Sequence, residues 1–324
     1  MKNFQLVKVA ELYYERDLSQ REIAKMLDLS RSMVSRLLAE AREAGIVTIT
    51  INRPIKKDTR LSEAMRQTFR LREAVIVPTV SSYEDTLKQV ANATAELLQN
   101  ILADNAILGV SWGKALFHTM EALPSLPLTG AQVIQLSGGL GEGNPANDGP
   151  ELALRFAERL NGSCRYLHAP AMVEDTAIRD QLLQQSQIRL TIERAAQAQV
   201  LLTGIGSLAD NLSSLNRAGY LSEAERQSCL AAGAVGHILA RMIDIDGNEI
   251  DHRHNQRVIS VPLSLLQQAG WSIGVAASAL KAPAVLGAIR GGYFNTLVLD
   301  EASAQEVLRL AKAAEDEIIP KIYA

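Results

Sequence analysis

LSQREIAKMLDLSRSMVSRLLAEAREAG, residues 18–45, decides how the N-terminal end of the chain is read. Ser19 and Glu22 have the Ser-x-x-Glu spacing of a capping box, which starts a helix at Ser19 and buries Ile23, Ala24 and Leu27. Asp28-Leu29 makes a turn, and Ser30 supplies a second N-cap. Val34, Leu37, Leu38 and Ala41 then recur at i, i+3, i+4 and i+7, the spacing of one buried helical face. The opposite face carries Arg31, Ser32, Ser35 and Arg36, and Gly45 ends the helix. Two short capped helices on one small core, the second polar and arginine-bearing, spell a helix-turn-helix. Such a second helix enters the major groove of double-stranded DNA with its N-terminal turn leading. The DNA-binding set expected here is Ser19, Gln20, Arg31, Ser32, Ser35 and Arg36.

Working outward, Leu6, Val7, Ala10, Tyr13 and Tyr14 repeat with helical period, so a helix over about residues 3–15 should pack across the motif. Beyond the motif, Ile46-Val47-Thr48-Ile49-Thr50-Ile51 is rich in β-branched residues and predicts a strand or wing. The charged segment 52–57, interrupted by Pro54, breaks that pattern and divides a head, residues 1–57, from a body, residues 58–324. The head holds 11 Lys/Arg against 7 Asp/Glu and the body 22 against 29, so the net charge of −3 conceals a basic end on an acidic remainder. That asymmetry suits a chain that offers one end to a polyanion.

At 324 residues the chain has length for two domains. Cys164 and Cys229 form no CxxC or Cys/His pattern, which predicts neither a disulfide scaffold nor a zinc site. No apolar run approaches a membrane span, and Met-Lys-Asn-Phe-Gln at the start lacks a signal-peptide core, so a cytoplasmic location is expected, with no membrane partner.

After a short helix over residues 61–69, apolar strand-like runs alternate with helical patterns to the end of the chain. The fold class expected is α/β: an N-terminal, winged helix-turn-helix domain followed by a larger, doubly wound, largely parallel α/β domain. In such a sheet, ligands bind beyond the carboxyl ends of the strands. Four loops that follow apolar runs combine small residues with a hydroxyl or amine: 109–114, with Ser111, Gly113 and Lys114; 135–141, with Ser137, Gly138 and Gly139; 204–207, with Gly206 and Ser207; and 277–281, with Lys281. Glycines let backbone N–H groups approach an oxyanion, a following helix N-terminus favours negative charge, and Lys281 would complete a phosphate pocket.

Other polar stretches carry less. Gly204-Ile205-Gly206 does not continue as GxGxxG, so no dinucleotide cofactor is expected. Residues 244–249 match a calcium loop poorly and read as a β-hairpin turn, with Asp244 facing the ligand. His252 and His254 flank Arg253 in a stretch that reads as a solvated loop rather than a metal pair. Glu142, Asn144, Asn147 and Asp148 lie in a Gly-rich segment that reads as a lid or an exposed loop.

Across nearly its whole length the chain resembles the SorC family of bacterial sugar-responsive transcriptional regulators, which includes the Bacillus-type deoxyribonucleoside regulator. The resemblance is carried by residues 10–14, Leu18-Ser19-Gln20 with Ile23-Ala24, Ser30-Arg31 with Val34-Ser35-Arg36-Leu37-Leu38, Gly45-Ile46-Val47, and Gly109-Val110-Ser111-Trp112-Gly113. It continues in Ser137-Gly138-Gly139, Gly204-Ile205-Gly206-Ser207, Gly233-Ala234-Val235-Gly236, Asp244 with Gly247, and Gly287-Ala288 ahead of Gly291. It implies a C-terminal domain similar in fold to sugar-phosphate isomerases of the glucosamine-phosphate deaminase type, acting as an inducer sensor, and a homo-oligomer, usually a tetramer. Two departures stand out. Ser137 precedes Gly138-Gly139 where the deoxyribonucleoside regulator leads one to expect a ligand-holding lysine, and Gly236-His237 stands where relatives commonly read Gly-Asp.

The function expected is therefore a DNA-binding regulator of a carbohydrate-utilisation operon, controlled by a small sugar phosphate, or a related sugar or polyol, bound by Ser111, Gly113, Lys114, Ser137, Gly138, Gly139, Gly206, Ser207, Asp244 and Lys281. The competing class is a sugar-phosphate isomerase or deaminase with an accessory head. It would need a carboxylate and a histidine converging within proton-transfer reach. Glu142, Asp244 and His237 supply the residue types without a recognisable base motif.

Overall fold

The computed structural model of the chain describes residues 2–47, 56–141, 148–209 and 212–322. Most of the expected wing at 46–51 lies outside these residues, as do Glu142, Asn144 and Asn147. The chain forms two compact units, residues 1–54 and 55–324.

In the first unit, α1 (Lys2–Ala10) runs into a π-helical turn at Glu11–Glu15, followed by α2 (Gln20–Leu27) and α3 (Arg31–Glu43). The capping box forms as the spacing predicts. The Ser19 hydroxyl accepts from the Glu22 N–H at 3.3 Å while the Glu22 carboxylate accepts from the Ser19 N–H at 2.9 Å. Asp28 closes α2 in the left-handed region at φ 52°, and the Ser30 hydroxyl accepts from the Met33 N–H at 3.2 Å to open α3. Val34, Leu37, Leu38 and Ala41 are buried with Ile23 and Ala24, and each buried Val or Leu contributes about 1.5–3 kcal/mol. On α1 the buried stripe is Leu6, Val9 and Ala10, whereas Val7 and Tyr14, expected in the core, are exposed. The π-helical turn shifts the phase of the last helical residues, so Leu12 is buried instead.

The second unit is built on strands β1 (Glu73–Val77), β2 (Ile107–Val110), β3 (Gln132–Gln135), β4 (Ser163–Arg165), β5 (Val200–Ser207), β6 (Gly236–Ile238), β7 (Arg241–Ile243), β8 (Trp271–Ala276) and β9 (Thr296–Asp300). Helix α4 (Thr59–Phe69) precedes β1, α5 (Tyr83–Ile101) joins β1 to β2, and α6 (Lys114–Ala122) joins β2 to β3. Then come α7 (Gly149–Arg159), α8 (Thr176–Gln184), α9 (Ser186–Ala195), α10 (Ser214–Arg217), α11 (Glu223–Ala231), α12 (Ser264–Gln268), α13 (Ala282–Arg290) and α14 (Glu301–Ile322). The main sheet is parallel in the order β1-β9-β8-β5-β2-β3-β4, and the antiparallel hairpin β6–β7 extends from the end of β5.

Alternation along the strands fills two cores. Val75 and Val77 face the layer containing α5, α6 and α7, and Ala74 and Ile76 face the layer of α4, α13 and α14. Both faces are covered, which is why the strands read as continuous apolar runs. Between β2 and β5 the strand order reverses, the chain continuing to β3 and β4 on one side and to β8 and β9 on the other. That switch point opens a crevice at the carboxyl ends of two neighbouring strands.

Candidate functional site

On the head, Arg31, Ser32, Ser35 and Arg36 are exposed along α3, opposite the buried face. They do not all stand equally free. The Ser32 hydroxyl is 2.9 Å from that of Ser30, and the Arg36 guanidinium lies 2.8 Å from the Met33 sulfur. Ser19 is committed to the capping box and Gln20 is half-buried at the start of α2. The exposed arginines and Ser35 thus remain the side chains with reach to a groove.

The body carries its cleft at the switch point. The cleft, of about 570 Å³ and open to solvent, is lined by Ser111, Gly113 and Lys114 after β2, Gly204 and Gly206 on β5, Arg217 on α10, His237 on β6 and Lys281 before α13. Gly113 is the N-cap of α6 at φ 118° with no side-chain cap, and a Cβ there would meet nothing within 4 Å. The first turn of α6 thus brings the positive end of the helix dipole to the cleft lining, an arrangement suited to an anion.

Two cations add to this. Lys114 is exposed, and its ammonium sits 3.5 Å from the Glu84 carboxylate. Lys281 is half-buried and donates to the Ile205 carbonyl at 3.0 Å. Burial, helped by the nearby positive charge of Arg217 and opposed by Asp300, pulls its pKa down to about 8.

The inner wall is aromatic and uncharged. Trp112 and His237 stack with ring centroids 6.1 Å apart and 22° between planes. His237 is 4% exposed, and burial, with the charges of His254 and Lys281, pushes its pKa down to about 3. Among the described residues, neither ring nitrogen of His237 nor the indole nitrogen of Trp112 has a hydrogen-bond partner.

Residues 53–309 match the Sugar-bind family of sugar-binding domains, and residues 8–44 match region 4 of sigma-70. The sorbitol operon regulator of Klebsiella pneumoniae is 32% identical over 308 residues, 94% of this chain and 97% of that one. The chain belongs to the SorC family of transcriptional regulators. The deoxyribonucleoside regulator of Bacillus subtilis is 31% identical over 303 residues, 93% of this chain and 96% of its own length. The crystal structure of the full-length SorC from Klebsiella pneumoniae superposes with a TM-score of 0.73 at 31% identity, covering 94% of this chain and 98% of that one.

For this SorC-family chain, the cleft brings together Ser111, Gly113, Lys114, Gly206 and Lys281 of the expected effector set. The other expected residues lie elsewhere, for identifiable reasons. Gly138 is pressed against the backbone of the neighbouring segment, a Cβ there meeting the Pro170 carbonyl at 2.2 Å, and Ser137 bridges to Ser260. Those small residues let two chain segments cross at the end of β3, and Gly139 lines a separate groove with Tyr166 and His168. Ser207 accepts from the Ala209 N–H at 3.0 Å, closing its own turn. Asp244 does not line the cleft: its carboxylate accepts from the N–H groups of Asp246 at 3.0 Å and Asn248 at 2.8 Å, an Asx-type turn. His254 is fully buried and not on a solvated loop, its Nε2 2.9 Å from the Ala240 carbonyl.

The effector set expected from sequence lacks Trp112, His237, Tyr83 and Arg217, which all line the cleft. For His237 a signal existed, the Gly-His pair in place of Gly-Asp. Arg217 and Tyr83 reach the cleft from helices distant in sequence, with no local pattern to mark them.

Proposed function

We propose that this regulator controls a carbohydrate-utilisation operon and takes its signal from a phosphorylated sugar or polyol bound in the cleft between β2 and β5. The observation that carries this reading is the uncapped N-terminus of α6 at Gly113, flanked by Lys114 and Lys281 and opening into that cleft. A phosphate dianion accepts several N–H and ammonium hydrogen bonds at once, and a sugar or polyol fits the remaining uncharged wall. The head reads operator DNA through Arg31, Ser32, Ser35 and Arg36, with Ser19 and Gln20 at the start of α2 beside the phosphate backbone.

The protein works in the cytoplasm as a homo-oligomer, a tetramer or dimer, and catalyses no reaction. The effector binds one arrangement of the subunits better than another, and the spacing of the heads follows. The names of its relatives, a sorbitol operon regulator and a deoxyribonucleoside regulator, support the carbohydrate assignment. The test is an operator-binding titration at fixed salt in the presence of glucitol 6-phosphate, fructose 6-phosphate and deoxyribose 5-phosphate. One of these is expected to change operator affinity at least tenfold. Operator affinity indifferent to every phosphorylated ligand, with no thermal shift by any of them, overturns the reading.

A further inference from the structure

Resting on the reading of the cleft as an effector site, we infer that His237 is its specificity-determining residue, a neutral imidazole that, with the Trp112 indole N–H, selects the hydroxyl-bearing part of the ligand over a carboxylate. Among the described residues, three buried polar atoms lack partners on two stacked rings of the cleft lining, both ring nitrogens of His237 and Nε1 of Trp112, on residues 4% and 7% exposed. A buried donor or acceptor left unpaired costs about 1–3 kcal/mol, so such a cluster is a standing penalty that a complementary ligand removes.

The backbone around His237 holds it there at further cost. Hairpin β6–β7 turns through Leu239 and Ala240, both with positive φ, 51° and 66°, and both buried. Two-residue turns of this form favour Asn and Gly, and a Leu-Ala pair in them is strained. Burial of the tip and the His254–Ala240 hydrogen bond hold the turn in place. On the other side, His237 pairs with Gly206 in the β5–β6 ladder, and the imidazole lies over the glycine where any Cβ would stand. The ring is thus fixed between Trp112 and Gly206 in the wall of the cleft.

The chemistry of the three atoms defines what they accept. A neutral imidazole has one N–H and one lone pair, and an indole has one N–H only. A hydroxyl both donates and accepts, so a diol can satisfy all three. A carboxylate has no proton to give, and it sets its charge against the imidazole lone pair. The ligand portion at His237 is accordingly a polyol or sugar ring, with the anion held at the α6 N-terminus.

The experiment compares glucitol 6-phosphate, 6-phosphogluconate and inorganic phosphate by calorimetric titration of the full chain, wild type, His237→Leu and His237→Gln. Wild type is expected to bind glucitol 6-phosphate at least tenfold more tightly than either of the others. His237→Leu should lose about 10- to 100-fold for glucitol 6-phosphate with inorganic phosphate unchanged, and His237→Gln, which keeps a donor and an acceptor, should recover most of it. Unliganded His237→Leu should melt no lower than wild type, since an unpaired polar group has been removed. Inorganic phosphate weakened as much as the hexitol phosphate makes the role structural and overturns the inference. Equal hexitol-phosphate affinity in wild type and His237→Leu overturns it while leaving the effector reading intact. Failure of every phosphorylated probe to bind wild type overturns the effector reading, and this inference with it.

Discussion

The imidazole of His237 occupies the space that a side chain on Gly206 would need. A Cβ on Gly206 would come 2.0 Å from Nε2 and 2.1 Å from Cε1 of His237. The ring has no easy retreat, since it is buried and stacked on Trp112. Gly206→Ala is therefore expected to destabilise the body by about 1–3 kcal/mol, the usual cost of overpacking. The double variant Gly206→Ala/His237→Ala should regain most of that loss. Thermal unfolding of the three proteins decides the matter, and a Gly206→Ala protein as stable as wild type would show that the imidazole has room to move.

The same pair shows how far the sequence carries. The helix-turn-helix was legible because its determinants are local: Ser19 with Glu22, Ser30, and the i, i+3, i+4, i+7 stripe from Val34 to Ala41 each act within one helix. The parallel sheet was legible because strands covered on both faces read as apolar runs. Hairpin β6–β7 was not, since its tip is Leu239-Ala240, residues without turn chemistry that hold positive φ only through tertiary burial. The site was half-legible. The loop directly after β2 and the carboxyl end of β5 fall at the crevice by topology, whereas Gly138, Gly247 and Gly287 proved to be places where backbones touch. Glycine in a loop marks close approach, and the sequence does not say whether the approaching group is a ligand or the chain itself.

Ser30→Ala removes the hydroxyl that accepts from the Met33 N–H, leaving an orphan donor at the start of α3. A loss of about 1 kcal/mol in the stability of the head is expected. Operator affinity should fall with it, because Arg31 and Ser32 occupy the turn that the cap fixes. Circular dichroism melts read the first effect and operator titration the second. A melt unchanged by the substitution would show that the cap contributes nothing.

Glu22 gives a pH dependence with a definite sign. Hydrogen bonds from the Ser19 hydroxyl and N–H hold its carboxyl below the ordinary value of 4.5. A carboxyl whose folded pKa is depressed contributes stability above its unfolded pKa and loses it as pH falls through the folded one. Glu22→Gln should therefore melt below wild type at pH 7, and the two should converge towards pH 3. Parallel curves over that range would show that the carboxylate charge is not what closes the capping box.

Lys281 titrates in the opposite sense to a group that gains a partner on folding. Its folded pKa, about 8, lies below the ordinary 10.5, so the folded state releases the proton first and stability from this group rises as pH increases from about 8 to 10.5. Lys281→Met should flatten that rise relative to wild type. An anionic ligand needs the ammonium form, so the affinity for inorganic phosphate should fall between pH 7 and 9 in wild type and be weak throughout in Lys281→Met. Phosphate affinity that holds constant across this range would place the anion away from Lys281.

On the head, Arg31→Ala and Arg36→Ala distinguish two kinds of contact. An arginine on a base edge costs about 1–3 kcal/mol of operator affinity and relaxes the sequence preference at one position, whereas one on a phosphate lowers affinity for all DNA and reduces the salt slope by about 1. Arg31, in the first turn of α3, is expected to show the first pattern. Operator titrations from low to high salt, repeated on unrelated duplex, separate them, and an Arg31→Ala protein with wild-type affinity on both would remove α3 from the interface.

Glu84 is positioned to restrain the anion site. Its carboxylate lies 3.5 Å from the Lys114 ammonium and 2.7 Å from Nε2 of His118, so Lys114 is partly neutralised at the mouth of the cleft before any ligand arrives. An anion must compete for that ammonium. Exposed pairs of this kind contribute about 0.2–1 kcal/mol, so releasing Lys114 should strengthen phosphate binding by about 1.5- to 5-fold. Glu84→Gln is expected to show that gain at low salt, and the gain should shrink as added salt screens the pair in wild type. In Lys114→Met, where there is no ammonium to release, adding Glu84→Gln should remove only the longer-range repulsion of the carboxylate and give a smaller gain. Equal gains in the two backgrounds would mean that Glu84 acts on the cleft as a whole and not through Lys114.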